Sequence, residues 1–123
     1  MNVLIVALDG VPPGDMAGGE ILVVAPALNS WFRRWVSDED DARRRAEELA
    51  ETFVHLLGRD GIRAEGRVGD ADPVLAIADA LPTFAADEIV VAGPSEQSAE
   101  IAARARRRFA LPTRLADPLP LAA

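Results

Sequence analysis

Three short runs constrain this chain most: NVLIVAL (residues 2–8), EILVVA (residues 20–25) and EIVVA (residues 88–92). They end at Asp9-Gly10, at Pro26 and at Gly93. Aliphatic runs of this length, without polar alternation, predict strands buried on both faces, as in a parallel sheet. In open α/β sheets ligands gather at the carboxyl ends of such strands. Gly93 therefore marks the expected edge of any small-molecule site.

Between the first two runs, residues 9–19 (DGVPPGDMAGG) hold two prolines and four glycines, which predicts no stable helix. Parallel neighbours usually need a crossover of a dozen or more residues, commonly helical. Either this crossover is an irregular loop, or the first strand runs elsewhere. Residues 29–36 (NSWFRRWV) read as an irregular or one-turn segment. Trp31 and Trp35, spaced i, i+4, can share one face there, which reads as a lid over the sheet end, with an aromatic ligand clamp as the alternative. Arg33 and Arg34 read as a solvated pair, with contact to a phosphate as the alternative.

Ser37, followed by Asp38, Glu39 and Asp40, is a helix start, because a hydroxyl caps orphan amides and acids suit the positive end of the dipole. Ala42, Ala46, Leu49, Ala50, Phe53, Val54 and Leu57 then recur at helical spacing, and Gly58 or Gly61 ends the helix. His55, the single histidine, lies beside this stripe without an obvious partner and reads as structural. Residues 62–68 (IRAEGRV) alternate apolar and polar, which predicts an edge strand whose charges discourage aggregation.

Asp72-Pro73 is a cap followed by a first-turn proline, with Val74, Leu75, Ile77, Ala78 and Leu81 as the expected buried face and Pro82 as the stop. After Gly93-Pro94, Ser95 is the expected cap of a last helix with Ala99, Ile101, Ala102, Ala105 and Phe109 inward and a Glu100–Arg104 pair outside. Arg104, Arg106, Arg107 and Arg108 suit the negative end of that helix, so they need no nucleic acid to explain them. Residues 113–116 predict a weak last strand, and the tail DPLPLAA is expected to be mobile.

The predicted order is β, loop, β, α, β, α, β, α, β over a single domain, residues 1–123. Alternating strands and helices predict a three-layer α/β/α sandwich on a mostly parallel sheet of about five strands, with the first crossover helix shortened or absent. The net charge of −7 argues against duplex DNA and anionic membranes as partners. There is no cysteine, so thiol chemistry is excluded, and no run reaches the roughly 20 apolar residues of a membrane span. The expectation is a cytoplasmic protein without a signal peptide. No G-x-S-x-G, P-loop or H-E-x-x-H pattern is present. Asp9, Asp70 and Asp72 are the carboxylates expected near one another at strand ends, though Asp72 is accounted for as a cap and Asp70 by its turn.

The segments ILVVAPALNS, SDED, GIRAEGRVGDADPVLAIADAL and ADEIVVAG follow one another as in the universal stress protein family, part of the adenine-nucleotide α-hydrolase-like group. The resemblance covers most of the chain and is best over residues 21–91. It implies a five-stranded parallel sheet, often paired through the last strand, and an ATP site. Asp9 matches the family's aspartate after the first strand, and Gly93 matches the first glycine of its G-x-x-G. The second glycine position holds Glu96, the later Gly-Ser falls near Arg106 and Arg107, and Pro26, lacking an N–H, stands where main-chain groups touch adenine.

The nucleotide motif is thus degenerate, and the site residues that the resemblance implies are Asp9, Gly10, Pro26, Gly93 and Ser95. The expected function is a non-catalytic, stress-protein-like domain that works through self-association or a protein partner and needs no cofactor. The alternative is a regulatory module binding ATP or AMP at the strand ends. A missing first helix is expected to bare residues 3–8 and 21–24 on one sheet face, which predicts a homodimer through that face or through the last strand.

Overall fold

The computed structural model describes residues 1–16, 19–28 and 39–116. The expectations for Trp31, Trp35, Arg33, Arg34, Ser37, Asp38 and the tail DPLPLAA lie outside them. The elements run β1 (Val3–Ala7), β2 (Ile21–Pro26), α1 (Glu39–Arg59), β3 (Ala64–Gly69), α2 (Pro73–Ala80), β4 (Glu88–Ala92), α3 (Ser95–Arg108) and β5 (Thr113–Leu115). The five strands form one all-parallel sheet in the order β3-β2-β1-β4-β5. The fold is a Rossmann-like three-layer α/β/α sandwich. Among the described residues no helix is long and apolar enough to cross a membrane.

Each central strand divides its side chains between two cores, because successive residues point to opposite faces. Leu4, Val6, Leu22, Val24, Ile89 and Val91 pack with Ala76, Ile77 and Ala80 of α2 and Ile101, Ala102 and Ala105 of α3. Val3, Ile5, Ile21, Val23 and Val90 pack with Ala46, Ala50, Phe53 and Leu57 of α1. Phe53 is wholly buried.

α1 ends where its glycines allow. Gly61 has φ +78°, its N–H donates to Gly58 O at 3.0 Å, and Ile62 N–H donates to Leu57 O at 2.9 Å. This pair of bonds is a Schellman motif, in which the left-handed residue costs least as glycine. Of the two candidate stops, Gly61 is the one used. α2 begins as expected: Asp72 Oδ1 accepts from Val74 N–H at 3.0 Å, ahead of Pro73.

Several expectations are corrected. The sheet face beneath the crossover is not bare, for every residue of β1 and β2 is buried. Residues 8–16 are irregular and stay on this face, with Pro12 and Pro13 buried and Met16 packed on the α1-side core. Proline cannot extend a helix, yet its ring still excludes water. Leu75 points outward, 38% exposed, and Ala76 and Ala80 occupy the buried side of α2 instead. In α3 Ala99 is exposed and Ser98 takes the inward place.

Ser95 is not the cap of α3. Pro94 holds that position, and no side chain caps the helix. Arg104, expected to pair with Glu100, instead reaches Asp72 at 3.2 Å. Arg106 Nε donates to Thr113 O at 2.9 Å, so one arginine of the basic block ties α3 to β5.

Candidate ligand site at the carboxyl ends of β1 and β4

The sheet order reverses direction around β1: the chain moves outward to β2 and β3, then crosses back to β4 and β5. The carboxyl ends of β1 and β4 therefore diverge in their connections and leave a crevice, the usual ligand position in open α/β sheets. A cleft of about 480 Å3 opens there. Asp9, Gly10, Gly93, Pro94, Ser95 and Ser98 line it, with Val11, Val91, Ala92, Leu115 and Ala116 as the apolar wall. Of the residues singled out from sequence, the fold brings Asp9, Gly10, Gly93 and Ser95 together.

The floor of the cleft is rigid. Leu8 N–H donates to Ala92 O at 2.8 Å, which continues the β1–β4 ladder one residue beyond the strands. Gly10 has φ +82°, and its N–H donates to Asp9 Oδ1 at 2.8 Å. That turn holds the carboxylate at the strand end. Its second oxygen has no partner among the described residues.

Gly93 is a glycine for a packing reason. A Cβ on it would stand 2.7 Å from Leu8 Cβ and 3.2 Å from Ser98 Oγ. The closeness of β1 to the start of α3 depends on its absence.

Because Pro94 offers no side-chain acceptor at the cap, the first amides of α3 face the cleft end without an internal partner. Ser98 N–H is the first to find one, Pro94 O at 2.8 Å. Glu96, in that first turn, is exposed and places a negative charge beside the same amides.

Ser98 is the functional candidate that sequence reading passes over. It is only 2% exposed, and its hydroxyl has no hydrogen-bond partner among the described residues. Buried hydroxyls are nearly always paired, so an orphan one lining a cleft calls for an explanation. The signal was present: Ser98, Ile101, Ala102 and Ala105 follow the i, i+3, i+4, i+7 spacing of one inward face.

Pro26 does not join this group. It lines a neighbouring cleft of about 450 Å3 with Leu28, Ala42, Arg45, Ala46 and Leu49, and Asp9 borders both clefts. The main chain after β2 is also committed elsewhere. Pro26 O accepts from Leu28 N–H at 2.8 Å, and Ala27 N–H donates to Gly69 O at 3.1 Å. The Ala27 N–H is thus engaged, while Pro26 O keeps one lone pair.

Nor do the three aspartates converge. Asp70 Oδ1 accepts from Asp72 N–H at 2.9 Å at the end of β3, two strands away from Asp9, and lines a different cleft. His55 is exposed on α1 in an open groove beside β3.

The cleft thus combines one carboxylate, one unpaired hydroxyl, uncapped helix amides and an apolar wall. Among the described residues no nucleophile in it is paired with a base. No protein-family model matches the chain, and comparison with curated proteins finds no match.

Proposed function

We propose that this chain is a non-catalytic binding domain of the universal-stress-protein type, whose switch-point cleft takes an adenosine-like nucleoside rather than ATP. The observation that carries this reading is that Asp9, Gly10, Gly93 and Ser95 line one cleft of nucleoside-compatible size, with the buried, unpartnered Ser98 hydroxyl in the wall behind it. A carboxylate at the end of a β1-type strand can accept from ribose hydroxyls, and the apolar wall from Val11 to Leu115 suits a flat base. Phosphate is disfavoured because Asp9 and Glu96 bring negative charge to the place where the α3 amides would otherwise attract it. The non-catalytic part rests on Ser98 itself, since a hydroxyl without a hydrogen-bonded base is not an activated nucleophile.

Isothermal titration with adenosine, AMP and Mg-ATP in one buffer tests the reading. Adenosine should bind in the micromolar range, with ATP weaker by about tenfold or more, and Asp9→Ala should abolish the adenosine heat. Absence of heat with all three ligands, or undiminished binding by Asp9→Ala, would overturn it.

A further inference from the structure

Strand β3 is an edge of the sheet, and among the described residues no element pairs with its outer side. One bond shows which of its main-chain groups are already used: Gly69 O accepts from Ala27 N–H, on the β2 side. The N–H and C=O of one strand residue point the same way, and the direction alternates along the strand. Glu65 and Arg67 therefore also turn their main-chain groups toward β2. Ala64, Gly66 and Val68 turn theirs to the open edge.

We propose that this edge is a self-pairing surface, on which two copies of the chain join β3 to β3 in antiparallel fashion about a twofold axis at Gly66. In that register Gly66 faces Gly66 of the second copy as a hydrogen-bonded pair, exchanging both N–H···O bonds. Ala64 and Val68 face each other in the same way on either side. Glu65 falls opposite Arg67 of the second copy, twice, in the non-hydrogen-bonded positions where side chains approach most closely.

The charges select this register. Centring the pair on Glu65 or on Arg67 sets a charge against its own kind, which is destabilising. Centring it on Ala64 or Val68 shortens the overlap and draws the turn at Gly61 or at Asp70 into the ladder. Registers that mix odd and even residues fail because outward groups would meet inward ones. The same two residues that oppose indiscriminate edge aggregation thus admit one symmetric pairing.

The surroundings leave the edge approachable. Gly66 is exposed and carries no side chain; Ala50 and Val54 of α1 pack close beside it, and an open groove of about 660 Å3 runs along the two elements. Arg43, Glu47, Glu51 and His55 line that groove, so a second copy meets charges of both signs there. Glu65 and Arg67 have side chains 74% and 40% exposed, joined within one copy only by a 3.9 Å contact. Arg67 Nη1 also donates to Thr83 Oγ1 at 3.2 Å, in an exposed position, so exchanging these contacts for the second copy's partners sacrifices little. This surface lies away from the β1–β4 cleft and does not depend on what binds there.

The test is sedimentation of the full chain across a concentration series at about 0.15 M salt, where the Debye length of about 8 Å screens the net charge of −7. A reversible dimer is expected. Glu65→Arg and Arg67→Glu should each weaken it by about tenfold or more, and the double swap Glu65→Arg/Arg67→Glu should restore it to within about threefold. Hydrogen exchange supplies a second readout: the amides of Ala64, Gly66 and Val68 should gain protection as concentration rises. A chain that stays monomeric to several hundred micromolar overturns the proposal. So does a dimer that ignores both single swaps, or one broken instead by Leu115→Arg on the opposite edge.

Discussion

Arg114 on β5 holds Asp15 in the crossover, 99 residues away in sequence, through Nη1–Oδ2 at 3.3 Å and Nη2–Oδ1 at 3.4 Å. The same guanidinium reaches Glu88 Oε1 at 3.3 Å from Nε. A planar fork that engages two carboxylates ties the irregular crossover to the far side of the sheet. That clamp is how a segment without a helix keeps its place over the α1-side face.

Replacing Arg114 with Ala should therefore loosen residues 9–16 more than it destabilises the whole fold. The groups are one-third to one-half exposed, apart from Glu88, so the loss should be about 1 kcal/mol in urea unfolding and smaller in high salt. Hydrogen exchange should show faster opening of the crossover amides. Unchanged protection there would mean that Pro12, Pro13 and Met16 hold the segment alone.

Asp72 has two jobs, capping α2 and receiving Arg104 from α3. Asp72→Ala removes both and should lower stability by about 1–2 kcal/mol. Asp72→Asn keeps a capping oxygen while removing the charge, so it should lose only a few tenths. Denaturant midpoints of the two variants separate the roles, and equal losses would assign the whole effect to the ion pair.

Gly93→Ala should destabilise the fold by about 1–3 kcal/mol, because the new methyl meets Leu8 Cβ, an atom next to the backbone that cannot swing aside. Gly58 makes the useful contrast. It lies within α1, and a Cβ there meets nothing within 4 Å. Gly58→Ala should raise stability by about 0.5–1 kcal/mol through helix propensity and a less flexible unfolded chain. Thermal melts of both variants check the pair of signs.

Ser98→Ala should stabilise the empty protein by about 1 kcal/mol, since it removes a buried hydroxyl without a partner. If Ser98 serves a ligand, the same substitution should weaken adenosine binding by about three- to tenfold. A gain in stability coupled to a loss of affinity distinguishes a binding residue from a packing one. Full affinity in Ser98→Ala would remove the hydroxyl from the site.

Much of the architecture was readable because its signals are local. Aliphatic runs that stop at Asp9-Gly10, Pro26 and Gly93 name strands, and Asp72-Pro73 names a helix start, within a few residues of themselves. The α1 stripe from Ala42 to Leu57 was readable for the same reason. The candidate site was readable in part. Asp9, Gly10, Gly93 and Ser95 follow strands whose carboxyl ends the β-α alternation brings to one side. Ser98 was lost because its polar side chain was not counted toward the inward face, although its spacing from Ile101, Ala102 and Ala105 placed it there.

By itself, then, the sequence determined the element order, the division of each strand between two cores and the end of the sheet where ligands would gather. Propensity, periodicity and capping act over a few residues, and these features need no more. Tertiary structure alone decided that the Pro-rich crossover covers a sheet face and that Arg104 turns to Asp72. It also decided that Gly93 is required by Leu8, that Pro26 belongs to a neighbouring cleft and that Ser98 is left unpaired. Each of these depends on groups remote along the chain meeting at packing distance, and that distance is set only when the sheet and its two helical layers close together.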